Sequence, residues 1–179
     1  MHDLLISFQI LSLMEHFDLL PFGHEKIGSL SESAKRRLII CTYLLSDPLI
    51  LLFDDPTKDL DALSNYQLIY SLNCYMKRCH RIALISLRCP RSDIYQLMSR
   101  ITILFYGEVM YSGQTKYMLS YFRQIGFPCP SNENPAVYYL SLATIDRETS
   151  QRYRESQDQA IKLVNLFMVS SERDFRNCP

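Results

Sequence analysis

The stretch Leu49-Ile50-Leu51-Leu52-Phe53-Asp54-Asp55-Pro56-Thr57 decides how the rest of the chain is read. Apolar residues run straight into two carboxylates and a proline. A strand buried on both faces of a parallel sheet has this unbroken apolar character. Acids at its carboxyl end stand where open α/β sheets bind ligands. Adjacent carboxylates there suit phosphoryl chemistry, in which one holds Mg²⁺ and the next handles the attacking water. Standing alone, Asp54-Asp55 reads equally as a polar strand end entering a turn. The flanking sequence carries the decision.

Working outward, residues 31–46 have a helical stripe of Ala34, Leu38, Cys41 and Leu45, stopping before Asp47-Pro48. Residues 3–20 predict an earlier helix, with Ile10, Leu13, Met14 and Phe17 on one face, closed by the turn Pro21-Phe22-Gly23-His24. Downstream, residues 60–77 predict a helix with Leu68, Leu72, Tyr75 and Met76 aligned. Apolar strands follow at 81–87 and 101–106, the second turning at Gly107-Glu108 into a hairpin. Helices are expected at 114–125 and near 135–142, with Pro128, Pro130 and Pro135 marking the connector. A charged helix over 147–168 carries Ala160, Leu163, Val164, Phe167 and Met168 on one stripe. Alternating strands and helices imply an α/β fold with a mainly parallel sheet.

A chain of 179 residues, 47% hydrophobic and 21% charged, suits one domain to one and a half and sustains a core. Its formal net charge of zero supplies no basic field for nucleic acid or an anionic membrane surface. Cys41, Cys74, Cys79, Cys89, Cys129 and Cys178 show no Cys-x-x-Cys spacing and read as idle or buried thiols. His80 reads as a surface or partly buried histidine. The tyrosines and phenylalanines at 103–127 and 138–139 follow strand and helix periods and read as core. The longest apolar region, Leu38 to Phe53, is interrupted at Ser46-Asp47-Pro48, so a soluble chain is expected.

Leu30-Ser31-Glu32-Ser33 lies about twenty residues before the acidic strand, at a basic helix start. With Asp54, Pro56-Thr57 and Leu60-Asp61, it resembles the ATP-binding cassette transporters, whose Leu-Ser-Gly-Gly signature opens a helix at this spacing. Ile85-Ser86-Leu87-Arg88-Cys89-Pro90-Arg91-Ser92-Asp93-Ile94 resembles the switch region of subfamily G, the White and sterolin-like half-transporters. Tyr121-Phe122, Gly126-Phe127-Pro128-Cys129-Pro130, Asn134-Pro135-Ala136 and Thr144-Ile145-Asp146-Arg147 extend the likeness over roughly residues 20–168.

The resemblance implies a partial P-loop NTPase fold, the C-terminal part of a nucleotide-binding domain. Residues 1–46 would be a piece of the helical (signature) subdomain. Residues 47–145 would be the distal part of the nucleotide-binding core, and 146–179 a C-terminal helix towards a membrane domain. It implies ATP and Mg²⁺ as cofactors and another subfamily G half-transporter as partner. It places any full transporter at the cytoplasmic side of a membrane, moving lipid or sterol. Asp54 would hold Mg²⁺ through water and Asp55 would orient the attacking water. Ser31, Glu32 and Ser33 would face the partner's nucleotide, with Asp61 in the adjoining loop as a helix cap or dimer contact.

Several positions depart from that pattern. No Gly-x-x-x-x-Gly-Lys-Ser/Thr occurs in the sequence, which implies a start partway through the cassette, beyond its first strands. Glu32-Ser33 replaces the signature glycines, bringing a carboxylate where an anion is expected. Alternatively, Ser29 and Glu32 form a capping box that simply starts the helix. Asp55 is one methylene shorter than the usual Glu. Arg88 stands at the switch-histidine position, and guanidinium does not release its proton. The expected outcome is a degenerate ATPase site or, alternatively, a non-enzymatic module that pairs with a full-length half-transporter.

Overall fold

A computed structural model describes residues 2–88 and 90–176; Cys89 and Cys178 lie outside the described residues. The chain forms two compact units, residues 1–88 and 89–179. The expected boundaries at 46/47 and 145/146 fall inside them.

The first unit begins with α1 (His2–His16), shorter than the expected helix over 3–20. Asp18 turns the chain at a φ of 53°, a left-handed conformation that aspartate tolerates better than most residues. Leu13 and Phe17 are buried while Ile10 faces out. Helix α2 (Glu32–Leu44) buries Ala34, Ile40, Cys41 and Leu44. Arg37 is also buried; its Nη1 donates to the Phe17 carbonyl at 2.9 Å and closes an acceptor left by the turn. Strand β1 (Ile50–Asp54) leads to α3 (Ala62–Cys79), whose Leu68, Leu72, Tyr75 and Met76 are buried as their spacing predicts. His80 caps α3 in the left-handed region.

Strand β2 (Ile82–Ser86) then pairs with β1 in parallel, Ile50 opposite Ile82 and Asp54 opposite Ser86. Asp47 and Arg81 brace the strand starts through two bonds, Nη2 to Oδ2 at 2.6 Å and Nε to Oδ1 at 3.1 Å. The Arg81 bond holds the Asp47 carboxyl below its usual range.

The second unit opens with α4 (Ser92–Leu97), a short helix that the sequence reading did not mark. Strands β3 (Arg100–Phe105) and β4 (Glu108–Gln114) form an antiparallel hairpin in a sheet of its own. The mainly parallel sheet is therefore corrected to one parallel and one antiparallel pair. A two-residue turn joins the hairpin, with positive φ at both Tyr106 (47°) and Gly107 (89°), matching the strands' right-handed twist. The register slips between Ile103 and Leu104, leaving Met110 as an extra residue and turning Met110 and Tyr111 inward together. Gly113 is required by close approach: a Cβ there would lie 2.7 Å from the Tyr111 hydroxyl.

Helices α5 (Thr115–Gln124), α6 (Pro135–Leu142) and α7 (Ser150–Arg176) complete this unit. Phe122 and Tyr139 stack with centroids 3.7 Å apart, and Ala160, Leu163 and Val164 of α7 join the same core. Phe167 is partly buried against it, whereas Met168 is exposed. The aromatics expected to be core include exposed Tyr106 and Tyr117, which are exceptions. Among the described residues, no helix is long and apolar enough to cross a membrane.

Candidate functional site

Parallel pairing puts the ends of β1 and β2 side by side, and their last residues are chemically matched. The Ser86 hydroxyl donates to Asp54 Oδ1 at 2.6 Å and accepts from the Asp55 N–H at 2.9 Å. One hydroxyl proton serves one acceptor, so donation to Asp54 leaves the oxygen's lone pairs for the Asp55 amide. Asp55 adopts a φ of 42° and bends the chain away from the strand. Its carboxylate accepts from Thr57 Oγ1 at 3.2 Å and lies 3.4 Å from Arg88 Nε. The Asp55 side chain is 18% exposed and Arg88 is 82% exposed, so a solvated guanidinium covers a half-buried acid. Such a pair contributes about 1 kcal/mol or less to stability. Its weight is chemical: it commits one of the two carboxylates.

The structure thus brings Asp54, Asp55 and Arg88 together. It adds Ser86 and Thr57, which the sequence reading did not assign to the site. The signal for Ser86 was present, since a hydroxyl ends an apolar strand that pairs with the acidic one.

Ser31, Glu32 and Ser33 find their partners near the start of α2. Ser31 is the N-cap, its Oγ accepting from the Ala34 N–H at 3.2 Å. The alternative capping box is corrected. Ser29 donates to the Lys26 carbonyl at 2.7 Å instead, because a 3₁₀ turn over Ile27–Ser29 precedes the cap. Glu32 pairs with Lys35 at 2.9 Å, and that hydrogen bond and charge hold its carboxyl below the usual range. Ser33 offers its carbonyl to Arg37 Nε at 3.5 Å. Asp61 caps α3, accepting from the Leu63 and Ser64 N–H groups at 3.0 Å each and from the Ser64 hydroxyl at 2.5 Å. The Ser64 hydroxyl, then the backbone bonds, keep Asp61 ionised to lower pH than usual.

Fit to Mg²⁺ is partial. Among the described residues, no group of three His, Cys, Asp or Glu side chains could hold a metal ion. Mg²⁺ does not need one: it keeps several waters and takes one or two carboxylates with substrate phosphates. Exposed Asp54 suits that role, steadied by Ser86. Asp55, occupied by Thr57 and Arg88, fits less well.

No family model matches the chain. Human ATP-binding cassette sub-family G member 5 is 33% identical over 149 residues, covering 83% of this chain and 23% of that protein. Human sub-family G member 8 is 36% identical over 146 residues, covering 82% of this chain and 22% of that protein. The chain belongs to ATP-binding cassette sub-family G. It spans under a quarter of the length of these curated relatives. ABC transporter G family member 8 of Dictyostelium discoideum matches at 33% over 138 residues, 76% of this sub-family G chain and 21% of the relative.

Solved structures agree on the fold. The cbiO1 part of the ABC transporter complex cbiONQ from Clostridium perfringens aligns with a TM-score of 0.57 at 19% identity. That alignment covers 66% of this chain and 48% of cbiO1. An ATP-binding cassette in its ADP conformation aligns with a TM-score of 0.55 at 15% identity, covering 68% of this chain and 49% of that cassette. The fold is α/β, and it is part of a cassette.

Proposed function

We propose that this chain is the distal piece of a sub-family G transporter cassette whose acidic strand end has lost efficient hydrolysis. One observation carries the reading: the carboxylate that would orient water, Asp55, is held by Arg88 and Thr57. Each Asp55 oxygen already holds one contact, which competes with a water for the carboxylate's remaining lone pairs. A guanidinium keeps its proton at physiological pH and so cannot relay one as imidazole does. The short Asp55 adds to the defect, since a misplacement near 1 Å costs on the order of a hundredfold.

ATP and Mg²⁺ remain the cofactors this site would take, with Asp54 holding the ion through water and Ser86 orienting that carboxylate. Ser31 would face the nucleotide of another sub-family G half-transporter, with Glu32 opposing the close approach of phosphate. A phosphate loop for such a site comes from outside residues 1–179. By resemblance, the cargo class is lipid or sterol, moved by a transporter whose cassette faces the cytoplasm.

Turnover of ATP decides the reading. The chain is expected to match its Asp54→Asn variant, alone or assembled with a phosphate-loop segment. Rates clearly above that control defeat the degenerate reading. The second reading, a non-enzymatic module that pairs with a full-length half-transporter, is favoured by an exposed apolar face on β1 and β2. Co-purification with a tagged half-transporter supports it, and a monomer that ignores such partners counts against it.

A further inference from the structure

A cleft of about 540 Å³ opens between α1 and α3, within the first unit and apart from the strand end. Helix α3 lines it with Tyr66, Tyr70, Ser71 and Arg78, and α1 with Glu15 and His16. Tyr66, Tyr70 and Arg78 are spaced by multiples of four residues, so they share one side of α3. His16 Nε2 donates to the Ser71 carbonyl at 2.8 Å, since a carbonyl can only accept, and this bond ties the two helices together. The volume is that of a site for a small molecule.

Ser71 is the informative residue. It is 8% exposed and lines the cleft, yet its hydroxyl bonds to no group among the described residues. A serine inside a helix often returns its hydroxyl to the carbonyl one turn earlier, as Ser156 does to Arg152 at 2.8 Å. A buried hydroxyl left unpaired carries a desolvation cost. Ser71 therefore stands ready for a partner that enters the cleft. The Glu15 carboxylate likewise has no ion pair or side-chain hydrogen bond among the described residues. Beside them, Tyr66 and Tyr70 stack with centroids 5.8 Å apart and 22° between their planes, which makes a flat aromatic wall.

We propose that this cleft binds a small aromatic amine, with its ring on the Tyr66–Tyr70 wall, its ammonium on Glu15 and a further bond to the Ser71 hydroxyl. Charge selects a cation over an anion. Asp18 adds a second carboxylate to the lining, 3.9 Å from Arg37. Arg78 is the one guanidinium there, and it lies over the Tyr75 ring at 5.9 Å. Tyrosine faces also attract ammonium groups through their quadrupole. A neutral polyol would use the wall and the hydroxyl but leave the Glu15 charge unmatched. No residue of the strand end takes part, so this binding and the loss of hydrolysis stand or fall separately.

The test titrates residues 1–179 with tryptamine and follows the protein's amide shifts by NMR. Saturation is expected with a Kd of about 1 mM or tighter, and with the largest shifts around Glu15 and Ser71. Indole-3-acetate carries the same ring with the opposite charge and is expected to bind about tenfold weaker. Glu15→Gln is expected to weaken tryptamine about threefold or more. Glu25→Gln, exposed and outside the lining, is expected to bind as the parent does. Ser71→Ala is expected to weaken tryptamine about threefold while the melting temperature of the unliganded chain holds or rises, because the lost hydroxyl had no protein partner. Failure to saturate, or shifts confined to other elements, overturns the proposal. So does tighter binding of indole-3-acetate, or an unchanged Kd in Glu15→Gln. A Ser71→Ala variant that melts earlier and binds tryptamine as the parent does gives Ser71 a structural role and overturns it as well.

Discussion

The two sheets of this chain are about equally small, yet only one dresses its outer face for water. The β3–β4 hairpin exposes Arg100, Thr102, Ser112 and Gln114, and Thr102 Oγ1 meets Ser112 Oγ at 3.0 Å across the strands. Leu104 is the exception on that side. The β1–β2 pair exposes Ile50, Leu52, Ile82 and Leu84 instead. Antiparallel sheets commonly leave one face to solvent, whereas parallel ones seldom do. The hairpin is complete on its own sequence, and the parallel pair asks for something more.

Breaking the completed side is expected to cost most. Tyr139→Ala removes a fully buried ring stacked on Phe122, together with its hydroxyl bond to the Phe127 carbonyl at 3.2 Å. Loss of about 3–5 kcal/mol is expected, read by urea unfolding with amide exchange assigning it to residues 90–176. A drop under about 1 kcal/mol contradicts a self-sufficient core there.

Alkaline pH separates the units next. Burial lifts the Cys41 thiol from an ordinary value of 9.0 to about 12. Burial likewise lifts the Tyr139 phenol from 10.0 to about 12. Both groups stay protonated longer folded than unfolded, so each stabilises below its unfolded pKa. That stability is lost as pH rises towards 12. The first unit should therefore begin to weaken near pH 9, and Cys41→Ala should flatten that early loss. An unchanged pH profile in the variant excludes the thiol as its cause.

Helix capping gives a smaller effect. Asp61→Ala removes the acceptor of two N–H groups at the start of α3 and should lower the melting temperature modestly. Thermal melts of the variant check it. The smallest effect sharpens the contrast most. Leu52→Ser on the bare face should change the isolated chain's stability by no more than about 0.5 kcal/mol while raising its solubility. Leu51→Ser, one residue along and buried, should destabilise it clearly. Equal losses at both positions would mean that the face is covered.

Local patterns made much of this legible. The apolar run into Asp54 gave β1, and the spacing of Leu68, Leu72, Tyr75 and Met76 gave the buried side of α3. Helix α4 escaped because a single turn and a half, opened by Pro90-Arg91-Ser92-Asp93, is too short to show a period. Ile10 sits on the predicted stripe yet faces out, because the turn at Asp18 carries Phe17 and Leu19 into the core instead. The capping box failed at Ser29 because two hydroxyls compete there, and the 3₁₀ turn leaves Ser31 in the capping position. The acidic residues of the site could be named from sequence. Their wiring could not, since Arg88 and Asp55 stand 33 positions apart and meet only when β1 and β2 align.

That ion pair also constrains how the site could change over generations. Lengthening Asp55 to Glu while Arg88 remains places a longer acid against the same cation. Replacing Arg88 first leaves the short acid with Thr57 alone. The two substitutions are therefore not interchangeable steps. The order in which the two positions change therefore decides what each change does to the strand end. A contact of 3.4 Å on the surface thus acts as a ratchet on the history of the strand end.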